Sequence, residues 1–145
     1  MILYRLLRSD EDPSQDLHAK DPWSPTSVEQ HVTRGSHGIS SRYISCSKSL
    51  EAIEKFASMS KTSPKRLVKI ETRTGWSSIH PIDLTDPYIL EKYISPENSK
   101  GRRYAEIYQE VLIERYIPKE NIICHWILPQ PVSLTQRRKF RYHIR

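Results

Sequence analysis

Ile2-Leu3-Tyr4-Arg5-Leu6-Leu7 is the stretch on which the fold turns. Its short apolar run reads as a buried strand. Arg5 breaks the pattern, with apolar neighbours on both phases of the two-residue alternation. A guanidinium in that position must be paired, must snorkel to water, or must point into a cleft. Two later stretches share the feature of a polar residue set beside apolar strand residues. In Tyr43-Ile44-Ser45-Cys46-Ser47 a short strand stops at a polar knot, and in Tyr108-Gln109-Glu110-Val111-Leu112-Ile113 a carboxylate heads a strand. Brought together by a sheet, the three make a coherent site. Arginine grips a phosphate or carboxylate in a two-pronged fork, serine hydroxyls orient a neighbour, and a carboxylate stabilises positive charge developing on a sugar ring.

The chain between these stretches predicts an α+β fold, with strands dominating and short helices on the outside. Residues 8–26 read as an irregular loop rich in turn formers. A short helix is expected over 27–33, capped by Ser27, with Val28 and Val32 on one face. Gly35 and Gly38 mark a loop. A helix is expected over 49–58, with Leu50, Ile53, Phe56 and Ala57 on one face. Leu50 and Phe56 are expected in the core. Residues 67–71 read as a strand and 79–84 as a short extended piece. Residues 87–94 read as a helix begun by Asp86 before Pro87. Residues 96–103 read as a flexible basic loop around Gly101, carrying Lys100, Arg102 and Arg103. Residues 111–116 and 122–128 read as strands joined by a turn at 118–121. Cys124 reads as a buried small residue. Trp23, Trp76 and Trp126 read as packing residues, with Trp23 in a loop able to border the cleft.

Composition narrows the classes. One domain fits into 145 residues, two independent cores do not. No apolar run reaches the roughly 18 residues of a membrane span, and the apolar start meets Arg5 too soon for a secretory signal. With two cysteines, Cys46 and Cys124, neither a disulfide scaffold nor a four-cysteine zinc site can be built. No pair of histidines has helical metal-ligand spacing, so no metal is expected. The default setting is cytoplasmic, including the case of a protein delivered into a target cell. The formal charge is +6, and Arg137, Arg138, Lys139, Arg141 and Arg145 supply most of it. Residues 1–130 therefore read as the working domain and 131–145 as a basic tail suited to nucleic acid or an acidic partner. A plainly solvated terminus is the alternative.

The aromatic-Arg strand, the strand ending in Ser-x-Ser and the late strand opening Glu-Val-Leu together resemble the arginine–serine–glutamate class of mono-ADP-ribosyltransferases. The order of the three motifs fits that class, the opening Leu3-Tyr4-Arg5 with its acidic, proline-bearing loop and the segment Val28 to Ser49 are similar to those of the pertussis-like and pierisin-like enzymes, and the likeness runs over about residues 2–128. It implies an ADP-ribosyltransferase-like split β-sandwich with NAD bound, as substrate, in the cleft between two sheets. It also implies roles by position. Arg5 contacts the NAD phosphates or the adjoining ribose. Ser45 holds Glu110 and shapes the nicotinamide pocket, with Ser47 the second serine of its motif. Glu110 hydrogen-bonds the ribose 2′-hydroxyl and stabilises the oxocarbenium ion as nicotinamide leaves. Two positions depart from the pattern. Cys46 stands where threonine is frequent. Tyr108, followed by Gln109, stands two residues before the glutamate, where the family has Glu or Gln and where the acceptor is chosen. The acceptor side is therefore assigned only to a neighbourhood: Tyr108, Gln109, Arg102 and Arg103.

Each residue has a plain structural alternative. Arg5 could pair with a surface acid, Ser47 or Ser49 could be a helix cap, and Glu110 could be a solvated edge charge. The function implied is transfer of ADP-ribose from NAD to a macromolecule, protein or nucleic acid, by a toxin, effector or defence enzyme. An antitoxin or immunity protein belongs to such a setting as a partner, and a membrane does not. The rivals are a non-catalytic nucleic-acid-binding module on the same fold and an NAD glycohydrolase that passes ADP-ribose to water.

Overall fold

The computed structural model describes residues 1–35 and 39–129. The basic tail expected at 131–145 lies outside the described residues. In chain order the elements are β1 (Ile2–Leu6), β2 (Leu17–His18), α1 (Val28–Arg34), β3 (Tyr43–Ser47), α2 (Leu50–Met59), β4 (Arg66–Glu71), β5 (Arg73–Thr74), β6 (Ser77–Ser78) and β7 (Ile82–Asp83). There follow α3 (Pro87–Tyr93), α4 (Ser99–Ile107), β8 (Glu110–Glu114), β9 (Tyr116–Ile117), a 3-10 turn (Lys119–Asn121) and β10 (Ile122–Ile127). This is an α+β architecture built on one antiparallel sheet of order β10-β4-β1-β3-β8-β7, with two small two-stranded sheets beside it.

The sheet is two ladders joined at a single point. β1 pairs with β4 from Ile2↔Glu71 to Leu6↔Leu67, and β3 pairs with β8 from Tyr43↔Glu114 to Ser47↔Glu110. Between β1 and β3 the register holds only Tyr4↔Ser47. The two halves splay from that bridge, and the site forms in the gap. Strand alternation sorts the core. Ile44, Cys46, Val111 and Ile113 pack with Leu3, Leu7, Val68 and Ile70, whereas Tyr43 and Leu112 pack on the other face with Val28 and Val32 of α1 and Ala105 of α4.

Helix starts follow local chemistry. Ser27 accepts from the Gln30 N–H while Gln30 reaches back to the Ser27 N–H, a capping box. Ser49 caps α2 by accepting from Ala52, and Asp86 caps α3 ahead of Pro87. The basic loop expected at 96–103 is instead mostly helix. Asn98 caps α4 by accepting from the Gly101 N–H at 2.9 Å. Gly101 is there for space and not as a breaker: a Cβ on it would come within 2.9 Å of Thr33 Oγ1 on α1 and 2.8 Å of Asn98 Nδ2. A close α1–α4 crossing thus overrides a weak helix propensity.

Other expectations also change. The strand expected at 111–116 breaks at Arg115, whose backbone sits in the left-handed region (φ 68°). Tyr116 and Ile117 then leave the main sheet to pair with β2 inside the supposed irregular loop. The extended piece expected at 79–84 reduces to Ile82–Asp83 at the sheet edge. Cys124 is exposed, because β10 is an edge strand with little packed on it. Trp76 and Trp23 are exposed too; Trp23 lies under the Arg115 guanidinium, 4.5 Å from its ring centroid. Leu50 and Phe56 are each more than a third exposed, and Ile53 and Ala57 alone anchor α2 in the core.

Candidate active site

Three adjacent strands carry the site. β1 brings Arg5, β3 brings Ser45 and Ser47, and β8 opens on Glu110. Ser47 and Glu110 are direct cross-strand partners, and Ser45 stands two residues along on the same face. With α1, α2 and α4 these strands bound a cleft of about 370 Å³, lined by all four residues and by His31, Phe56, Tyr104 and Tyr108. Arg8, Lys20 and Arg34 also line it. The register gives the cleft a direction. Glu110 is level with Ser47 and hence with Tyr4. Arg8 lies four residues further on, about 13 Å at the rise of an extended chain. Lys20 is held at that far end, where the Asp21 N–H meets the Ser41 carbonyl. Arg8 and Lys20 thus lie toward the end away from the carboxylate.

Arg5 is 7% exposed and Glu11 6%. The guanidinium forks onto Glu11, Nε donating to Oε2 at 3.3 Å and Nη2 to Oε1 at 2.9 Å. Its Nη1 donates to the Ser45 carbonyl at 2.7 Å, across the gap between β1 and β3. Glu11 also accepts from the Arg8 N–H at 2.7 Å. Arg66 fastens this loop from below, donating to the carbonyls of Glu11 and Arg8 at 2.7 Å each. The partner of Arg5 is thus an acid buried beside it, not one on the surface.

Glu110 is partly buried in the sheet, so it is not a solvated edge charge. Loss of water pushes its carboxyl up to about 7, against the pull of the Ser45 hydroxyl and the Arg5 charge. Ser47 turns back on its own chain, accepting from the Ser49 N–H and donating to the Ser49 carbonyl, which shapes the entry to α2. Cys46 points to the opposite, apolar face. Burial pushes its thiol up to about 12, so it acts as an inert small residue.

His31 escaped the sequence reading, which weighed histidines only as metal ligands. The available signal was its position between Val28 and Val32 on the inward face of α1. Its Nδ1 lies 2.7 Å from Ser41 Oγ and its Nε2 2.7 Å from Ser45 Oγ. Burial, helped by the Arg5 charge, pushes the imidazole down to about 4, so it is neutral near pH 7. The network selects a tautomer. Ser45 donates to Glu110, so its oxygen accepts from Nε2–H, and Nδ1 accepts from the Ser41 hydroxyl. Ser41 in turn accepts from the Tyr43 N–H at 3.0 Å. A line of donors runs from Ser41 through His31 and Ser45 to the carboxylate.

The expected acceptor-side residues part company. Tyr108 lines the cleft, its ring edge-on to Phe56 at 5.5 Å and tilted against Tyr104 at 6.1 Å. Gln109 forms a left-handed corner (φ 47°) that ends α4 and aims Glu110 into β8. Arg102 ties α4 to α3, donating to the carbonyls of Ser95 and Ile94 and pairing with Glu91. Neither Arg102 nor Arg103 lines the cleft. Among the described residues, no group of three or more His, Cys, Asp or Glu side chains is placed to hold a metal ion. No described helix is long and apolar enough to cross a membrane.

Residues 2–130 match the family described as "Domain of unknown function (DUF7587)". The chain belongs to that family. No curated protein matches it in sequence. In three dimensions it is similar to the solved structure named EcPltA, with a TM-score of 0.59 and 17% identity, covering 90% of this chain and 77% of that one. At that identity the likeness speaks for the fold, which is ADP-ribosyltransferase-like.

The buried neutral His31 sets an acid limit on this member of the family. Its imidazole sits near 4 in the fold against about 6.5 in the unfolded chain. The stability this contributes is complete above pH 6.5 and is lost as the pH falls toward 4. His31→Gln keeps a neutral partner for the serines and is expected to flatten the fall in melting temperature between pH 7 and pH 4.5. A variant as acid-sensitive as the wild type would locate the titration elsewhere.

Proposed function

We propose that the chain is a mono-ADP-ribosyltransferase that uses NAD as substrate. The observation that carries the reading is the meeting of Arg5, Ser45 and Glu110, from three separate parts of the sequence, on three adjacent strands around one cleft. The cleft suits such a substrate: it is lined by cationic residues for an anionic diphosphate and by a carboxylate for a sugar that becomes cationic. The likeness to EcPltA supports the fold.

In the proposed reaction the bond between the nicotinamide nitrogen and the ribose carbon breaks. Its electron pair leaves with nicotinamide, which departs neutral. Glu110, ionised and held by Ser45, stabilises the oxocarbenium ion that remains. His31 keeps the Ser45 hydroxyl pointed at that carboxylate. An acceptor lone pair then forms the new bond to the same carbon, and the acceptor's proton passes to Glu110 or to water.

Labelled NAD incubated with the protein and separate pools of total protein, DNA and RNA tests this. Label is expected in one pool with wild type and in none with Glu110→Gln. Nicotinamide release with no labelled pool would make the chain an NAD glycohydrolase. A nucleic-acid affinity unaltered by Glu110→Gln, with no NAD turnover in either protein, would make it a binding module.

A further inference from the structure

Among the described residues four cations line the cleft, and they differ in what already holds them. Three of the five N–H groups of Arg5 are taken by Glu11 and the Ser45 carbonyl, in a residue 7% exposed. A phosphate taking over that fork would displace a carboxylate that also serves the Arg8 N–H, leaving Glu11 buried and ionised without its main partner. Arg8 is spent on Asp10, at 3.0 Å, and on the His18 carbonyl, at 3.0 Å. Lys20 adds its charge to the same Asp10. Arg34 is different. It stands exposed in the last turn of α1, one turn beyond His31, and its side chain makes no hydrogen bond or ion pair among the described residues.

We propose that Arg34, and not Arg5, grips the anionic diphosphate of the substrate in this chain, and that Arg5 is a positioning strut that props β1 away from β3. The proposal rests on the NAD reading of the cleft. It reassigns the contact for a physical reason. An exposed guanidinium gives up only water to meet a phosphate, whereas Arg5 would have to break a buried pair. Arg5 then acts on the reaction through the Ser45 carbonyl, which its Nη1 holds from the other side of the gap.

Calorimetric titration of the full chain with ADP, which keeps the diphosphate and lacks the nicotinamide ribose, separates the two arginines. Arg34→Gln is expected to weaken ADP and NAD binding about tenfold, to flatten the loss of ADP affinity with added salt, and to melt like the wild type. Arg5→Lys, studied below its melting temperature, is expected to lower that temperature while keeping the salt slope. Wild-type affinity and slope in Arg34→Gln, together with their loss in folded Arg5→Lys, would return the contact to Arg5 and overturn the proposal alone. A wild type that binds neither ADP nor NAD would overturn the NAD reading, and this assignment with it.

Discussion

Glu110→Gln is expected to lower the rate of nicotinamide release from NAD by two to three orders of magnitude, about what one group stabilising transition-state charge is worth. It is also expected to make the protein more stable at alkaline pH. The first follows from the charge Glu110 would stabilise, the second from burial, which pushes its carboxyl up to about 7. Its ordinary value is 4.5. The group is raised in the fold, so its stabilising contribution is complete below pH 4.5 and is lost as the pH climbs through 7. At pH 8 the wild type holds a poorly solvated anion and the glutamine variant does not. The variant should therefore melt higher than wild type at pH 8 and alongside it at pH 4.5. A lower melting temperature at pH 8 would mean that the carboxylate is structural, held by its neighbours and not strained by them. A site that sacrifices stability for charge at the reacting end is a familiar compromise in enzymes.

The largest effect on folding is expected from Glu11→Ala. It leaves the Arg5 guanidinium buried with Nε and Nη2 unmet and takes the acceptor from the Arg8 N–H. Removing one partner of a buried pair costs about 3–5 kcal/mol, a fall in melting temperature of roughly 6–20 °C for a domain of this size. Replacing both partners, as in Arg5→Met with Glu11→Leu, should recover much of the loss, because an apolar pair leaves no charge unmet. The double variant should nonetheless stay inactive, since nothing then reaches the Ser45 carbonyl. A melting temperature within 2 °C of wild type for Glu11→Ala, a shift of the size of about 1 kcal/mol or less, would show that water can reach and satisfy Arg5.

Features that depend on near neighbours in sequence were legible in it. Short apolar runs located β1, β3, β4, β8 and β10. Ser27, Ser49 and Asp86 announced three helix starts, because a cap and its target lie within three residues. Arg5, Ser45 and Glu110 could be named because a polar side chain in an apolar strand must be explained. What failed depended on tertiary context. Gly101 looked like a breaker, and only the approach of Thr33 shows why it is tolerated in α4. The break at Arg115 needed a left-handed residue that is not glycine, and no local pattern signals that. Cys124 alternated with apolar neighbours in a strand that turned out to be an edge. Glu11 sat among Asp10 and Asp12 in what read as a polar loop, and only the fold distinguishes the one buried acid of the three. His31 carried a helical signal, but its bond to Ser45 spans 14 residues and needs β3 laid beside α1.

The proposed function is cleavage of NAD at the nicotinamide ribose in this cleft, with Glu110 as the stabilising carboxylate. Its most direct test is nicotinamide release from NAD by the purified chain, followed from pH 5 to pH 9, with Glu110→Gln alongside. The expected result is release by the wild type that rises with pH through about 7, as the Glu110 carboxyl ionises, and a rate near background at every pH for the variant. Equal release by both proteins, or none from the wild type at any pH with protein, DNA and RNA pools present, would contradict the claim.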